Sequence, residues 1–403
     1  MKKKVIIVAV FALLFIILLY SNATVGLYEF LHKTDLPLKK VKIENKYKEI
    51  VNLIKNVPDN FPILKTSEKL EYLEKEDAKK LINEIFNISM GDVKKLKKLA
   101  LDKVVYFEKL TLIELQKMHT FLVIMLKKNI KDGMYLKFFK TYMKVTRFLQ
   151  DLSNGDKNGN YLPFLIFSLK IENEIHDFMM DAIYRSRIKS SNYRLLSKFF
   201  VRFNQFFQTF PGAIKNDSDF LCRGVTVYRK KFQIGATIQG LLGRVKKQDI
   251  EDSYFRISNI SENKSYNSAY DLLRKLREEM KNSNNLFLKR ASAQPFEQIY
   301  KLERIVTLKR RFIYLSACLN QFKAKESKYP VTLSEVNPVE TLLKDPFDLK
   351  KQLQYKITGE TFLLYSTGFD SIDDNGDKAK DISTLNYKFL KRETKDLKKK
   401  KTG

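Results

Sequence analysis

Residues 299–324 read IYKLERIVTLKRRFIYLSACLNQFKA, and Tyr329-Pro330 follows shortly after. Leu302, Ile305, Val306, Leu308, Phe312, Leu315 and Leu319 recur largely at spacings of three and four, the period of one helix face. A proline pushes the residue before it out of helical space, so the long helix ends before Pro330. The rest of the chain agrees with a helical class. Only 14 glycines and 9 prolines occur in 403 residues, too few turn-formers for a sandwich of many short strands. The expected fold is therefore mainly α, with more than one domain in a chain of this length.

Downstream of Pro330 the texture changes. Leu333, Leu342 and Leu343 precede Asp345-Pro346-Phe347, a turn signal. Two short runs, Leu353–Ile357 and Thr361–Tyr365, are joined by Thr358-Gly359-Glu360 as in a hairpin. Residues 295–390 are thus expected to form a small α+β module with a short antiparallel sheet, Leu385–Leu390 adding an edge strand. The basic end, 391–403, reads as a disordered tail. Between sheet and tail, Asp370, Asp373, Asp374 and Asp377 fall within eight residues with no lysine or arginine among them. Four carboxylates that close repel unless a cation or solvent separates them. Hard oxygens in a glycine-containing loop suit Ca²⁺, in a structural role, although the spacing is not that of an EF-hand. The plain alternative is a solvated acidic turn.

The order Tyr329-Pro330, Leu333, Asp345-Pro346-Phe347, Leu353-Gln354-Tyr355, Phe362 to Ser366, Gly368, Asp370, Asp377 and Asp381-Ile382 resembles the C-terminal half of the major pseudopilin of type II secretion systems. The resemblance covers roughly residues 300 to 385. It implies a helix, a Tyr-Pro turn, an Asp-Pro-aromatic turn, a small antiparallel sheet and a Ser-x-Gly-x-Asp loop that holds calcium. By position, Asp370 and Asp377 match the family's calcium-ligating aspartates, while Asp373 and Asp374 have no equivalent. Lys378 stands where the family often has another acid. The N-terminus lacks the processing glycine and nearby glutamate of a prepilin, so the resemblance implies a pseudopilin-like module and not a pilus subunit.

Upstream, residues 35–294 read as a helical domain. Helices are expected at about 92–109, 112–130, 134–152, 161–187, 191–209, 219–242 and 266–281, with Ser67 capping an earlier one. Breaks fall at Gly133, Ser153-Asn154-Gly155, Pro211-Gly212 and the polar stretch Asn259 to Asn267. Phe199, Phe200, Phe203, Phe206, Phe207 and Phe210 repeat at helical spacing, which is a core signature. Chemistry in this body is sparse. Glu172, His176 and Asp181 are the first suspects for a metal or catalytic site, since residues four apart share a helix face. His119 reads as a packed histidine, and His32 has no partner in sequence. Gly235, Gly240 and Gly243 do not form a phosphate loop, and no Gly-x-Ser-x-Gly elbow occurs. Cys222 and Cys318 make no metal site by spacing. They would be buried thiols, or a disulfide in an oxidising compartment.

Lys2, Lys3 and Lys4 precede the uninterrupted apolar run Val5–Tyr20. The positive-inside rule orients such a segment N-in, C-out. Its sixteen residues reach roughly 24 Å as a helix, against a hydrocarbon core of about 30 Å, and Val25–Leu31 could lengthen it. Residues 1–31 are therefore read as a cytoplasmic stub and membrane anchor. The same residues admit a cleaved signal peptide ending near Ala23. Either way the body lies outside the cytoplasmic membrane. The formal charge of +29 is spread along the chain, mostly as lysine. That fits a solvated surface or attraction to anionic lipid or wall polymer, whereas topology argues against nucleic acid. The sequence reading is a non-catalytic envelope scaffold, with the membrane and other envelope proteins as partners. An envelope enzyme using the helical body and a diffuse electrostatic binder are the alternatives.

Overall fold

The computed structural model describes residues 52–87, 112–153, 162–204, 209–231, 246–263, 265–377 and 381–384. They form α1 (Thr66–Tyr72), α2 (Glu76–Asn87), α3 (Leu112–Lys131), α4 (Tyr135–Ser153), α5 (Leu162–Tyr184) and α6 (Ser190–Asn204). Next come α7 (Phe210–Lys231), α8 (Lys247–Asn263), α9 (Tyr266–Asn282), α10 (Leu286–Ala291), α11 (Phe296–Glu326) and α12 (Glu340–Leu343). A three-stranded antiparallel sheet closes the order: β1 (Gln354–Thr358), β2 (Thr361–Ser366) and β3 (Ile382–Ser383). The mainly helical class with a small C-terminal sheet is therefore observed. Among the described residues no helix is long and apolar enough to cross a membrane. The expected anchor Val5–Tyr20, the helix at 92–109, the three glycines of 235–243, His32, the strand at 385–390 and the basic tail lie outside those residues.

Helix α5 is apolar on nearly every side. Leu165, Leu169, Ile171, Ile175, Phe178, Met179 and Ile183 are all buried. A helix hydrophobic all round belongs in the middle of a fold. It packs against α3, α4 and α11, and α11 in turn lies along α6 and α9. At 31 residues, α11 spans about 46 Å. By contrast α9 is amphipathic, burying Tyr266, Ala269, Leu273, Leu276 and Met280 at spacings of three and four. Each fully buried large aliphatic contributes about 1.5–3 kcal/mol. One apolar cluster runs from Leu53 and Phe61 through α5 and α11 to Phe362 and Leu364 of the sheet.

Several boundaries differ from expectation for physical reasons. α7 starts at Phe210 and not near 219. Pro211 sits in its first turn, where a missing N–H loses no helical bond. α8 has no counterpart among the expected helices: its sequence is polar, and only Ile250, Tyr254 and Ile257 are buried apolar side chains. At α1 the cap is Lys65, whose N–H is taken by the Glu68 carboxylate at 2.8 Å, and not Ser67.

α11 stops at Glu326, with Ser327 at φ +60 as its left-handed terminator, just before Tyr329-Pro330. The Tyr355 hydroxyl then donates to the Pro330 carbonyl at 2.8 Å. In the hairpin, Thr358 pairs with Thr361, leaving a two-residue loop. Its first residue, Gly359, has φ +61, the conformation such a tight loop requires and glycine alone adopts freely. Asp345 ties the preceding turn to the end of β2. Its Oδ1 accepts from Phe347 N–H at 2.9 Å and from the Ser366 hydroxyl at 2.9 Å, and its Oδ2 accepts from Thr367 N–H at 3.3 Å. Burial pushes the Asp345 carboxyl upward against these three donors.

Candidate functional site

Glu172 and His176, four residues apart on α5, face inward together and both are fully buried. Arg310 of α11 meets Glu172 Oε2 with Nε at 2.8 Å and Nη2 at 2.6 Å. His176 Nε2 lies 3.3 Å from the same oxygen, and the Tyr142 hydroxyl of α4 stands 2.9 Å from His176 Nδ1. A carboxylate only accepts, so the proton on neutral His176 belongs on Nε2 and Tyr142 donates to Nδ1. Burial lowers the His176 pKa to about 4, overriding the raising effect of Glu172, so the ring is neutral at pH 7. Burial pushes Glu172 upward, yet Arg310 and His176 more than offset it and hold the carboxyl below its ordinary range. One helical turn along, Lys309 Nζ reaches Asp177 Oδ1 at 2.5 Å and donates to the Asn173 carbonyl at 2.9 Å. Two adjacent cations of α11 thus grip two turns of α5.

Asp181 does not join this cluster. It pairs with Arg185 at 2.9 Å along the outside of α5. Nine residues at about 100° each place it half a turn away from Glu172. His119 is half-buried and bonded to Glu174 at 2.9 Å. Arg310, Lys309 and Tyr142 were not read as site residues. They come from elements far apart in sequence, Arg310 lying 138 residues from Glu172. A neutral histidine beside a carboxylate could relay a proton in principle. Here no open surface reaches either group, and Phe200 packs edge-on against the ring at 6.3 Å. The arrangement is that of a polar clasp between α4, α5 and α11. Half-buried Asp217 of α7 accepts from the Tyr254 hydroxyl of α8 at 2.7 Å, and desolvation raises its pKa to about 6. Cys222 and Cys318 are free thiols, Cys222 buried and Cys318 half-buried.

The acidic loop is organised by its own backbone. Asp370 Oδ1 accepts from Ile372 N–H at 3.1 Å, and Asp373 Oδ1 accepts from Asn375 N–H at 2.9 Å. Asp374 and Asp377 close a turn through Asp377 N–H to the Asp374 carbonyl at 3.2 Å. The acid at the loop's centre is Asp381, almost wholly buried, which accepts from Gly376 N–H at 2.7 Å. Burial raises its pKa, and the charges of Asp373 and Asp374 add to that. Among the described residues no three His, Cys, Asp or Glu side chains converge into a metal-holding group.

No protein-family model, no curated protein and no solved structure matches the chain. The pseudopilin resemblance of residues 300–385 rests on its motifs alone.

Proposed function

We propose that the chain is a non-catalytic scaffold of the cell envelope, tethered by its N-terminal apolar segment with the helical body outside the cytoplasmic membrane. One observation carries the non-catalytic part. The acid and histidine that most resemble reacting groups are sealed at the centre of the fold and already engaged by Arg310 and Tyr142. Buried polar groups paired across elements in this way hold the elements in register and leave the outer helix faces for contacts. The tether rests on Lys2–Lys4 ahead of Val5–Tyr20.

A topology reporter tests the placement. Alkaline phosphatase fused to the C-terminus of the full chain is expected to be active in cells, because it folds only outside the cytoplasm. Green fluorescent protein at the same position is expected to stay dark. The reverse pattern would overturn the proposal.

A further inference from the structure

A cleft of about 1010 Å³ opens between α4 and the connection from α5 to α6. Its rim carries Lys137, Lys140, Lys144 and Arg147 from α4, and Arg187 and Lys189 from the connection. Among the described residues no acidic side chain lines it. Lys137, Lys140 and Lys189 are exposed and make no ion pair among the described residues. Arg187 stacks over the Tyr135 ring at 5.4 Å, which fixes its guanidinium at the mouth. Beneath these cations the lining turns apolar, with Met143, Ile188 and Phe199. The N-terminus of α4, 19 residues long, begins at the cleft edge and adds the positive end of its dipole.

Cations on the rim select an anion, and hydrocarbon beneath them selects an apolar portion on the same molecule. A purely polar polyanion would leave that lining unused. An uncharged apolar ligand would gain nothing from six positive groups. We propose that this cleft binds a single amphipathic phosphate, a phosphate head joined to a hydrocarbon chain. The inference goes beyond the scaffold reading and does not depend on which side of the membrane the body occupies.

The test is thermal melting of the full chain in neutral detergent micelles with decyl phosphate, inorganic phosphate or decanol at equal concentration. Decyl phosphate is expected to raise the midpoint by roughly 3 °C or more through mass action. Inorganic phosphate and decanol are each expected to give less than about a third of that shift. Lys140→Glu combined with Lys189→Glu changes only exposed side chains. That variant is expected to melt as the parent does without ligand and to lose most of the decyl phosphate shift. Equal shifts from decanol and decyl phosphate would overturn the proposal, as would an undiminished shift in the variant. A variant that melts lower without ligand is replaced by Lys137→Gln with Lys140→Gln, judged by the same loss of shift.

Discussion

Replacing Arg310 by methionine is expected to remove about 3–5 kcal/mol of folding stability, the scale for stranding one member of a buried ion pair. Arg310 supplies both short contacts to Glu172 Oε2, while Glu172 Oε1 has no hydrogen-bond partner among the described residues. Without the guanidinium, a carboxylate at the centre of α5 would have only the His176 N–H nearby. The Glu172–His176 pair would escape by taking up one proton, which gives the variant a distinctive pH signature. In the parent, His176 has a folded pKa of about 4, below its unfolded 6.5. The unfolded chain therefore binds the proton more tightly, and stability is lost as pH falls from 6.5 towards 4. Glu172 is held below its unfolded value, so its contribution is present above about pH 4.5 and lost below it. In the Arg310→Met variant the folded pair holds its proton more tightly than the unfolded chain. Its stability then falls as pH rises, so the loss relative to the parent is larger at pH 7.5 than at pH 5. Urea unfolding at the two pH values reads this directly. Equal losses would contradict the buried geometry.

Asp345→Ala is expected to cost about 3 kcal/mol, through unmet donors and not through lost volume. Ser366 and Thr367 are themselves buried, so water cannot replace the carboxylate they face. Asp345→Asn keeps one accepting oxygen for Phe347 N–H and the Ser366 hydroxyl. It turns an amide towards Thr367 N–H, donor against donor, so its cost should fall between the parent and the alanine variant. Thermal melting of the full chain measures the ranking. An alanine variant as stable as the parent would mean that the turn at Asp345–Phe347 does not brace β2.

The helices that dominate the fold were legible because their apolar spacing is regular and long. α11 was read within a few residues of its ends, and the hairpin was fixed by one glycine between two β-rich runs. α8 was missed because a helix on the rim of the core needs few buried apolar positions, and Ile250, Tyr254 and Ile257 do not stand out among polar neighbours. The site was half legible. Glu172 and His176 announce themselves at a four-residue spacing, but periodicity says nothing about what lies across from them. Arg310 stands in a Lys-Arg-Arg run that reads as a solvated patch until α11 is laid along α5. Asp345 was recognised as a turn residue, while its bonds to β2 depend on how the sheet folds back. Asp381 entered only as a motif position, although its burial makes it the centre of the acidic loop. The cleft cations lie on one helix and a connection 40 or more residues further on, so no local spacing marks them.

Central to this account is that the buried acid and its arginine serve packing and not reaction, and a double variant tests that most directly. Glu172→Gln with Arg310→Met removes both charges while leaving the glutamine oxygen as an acceptor for His176. Urea unfolding at pH 7.5 is predicted to place the double variant within about 1 kcal/mol of the parent, far above Arg310→Met alone. A double variant at least as unstable as the single one would contradict the clasp.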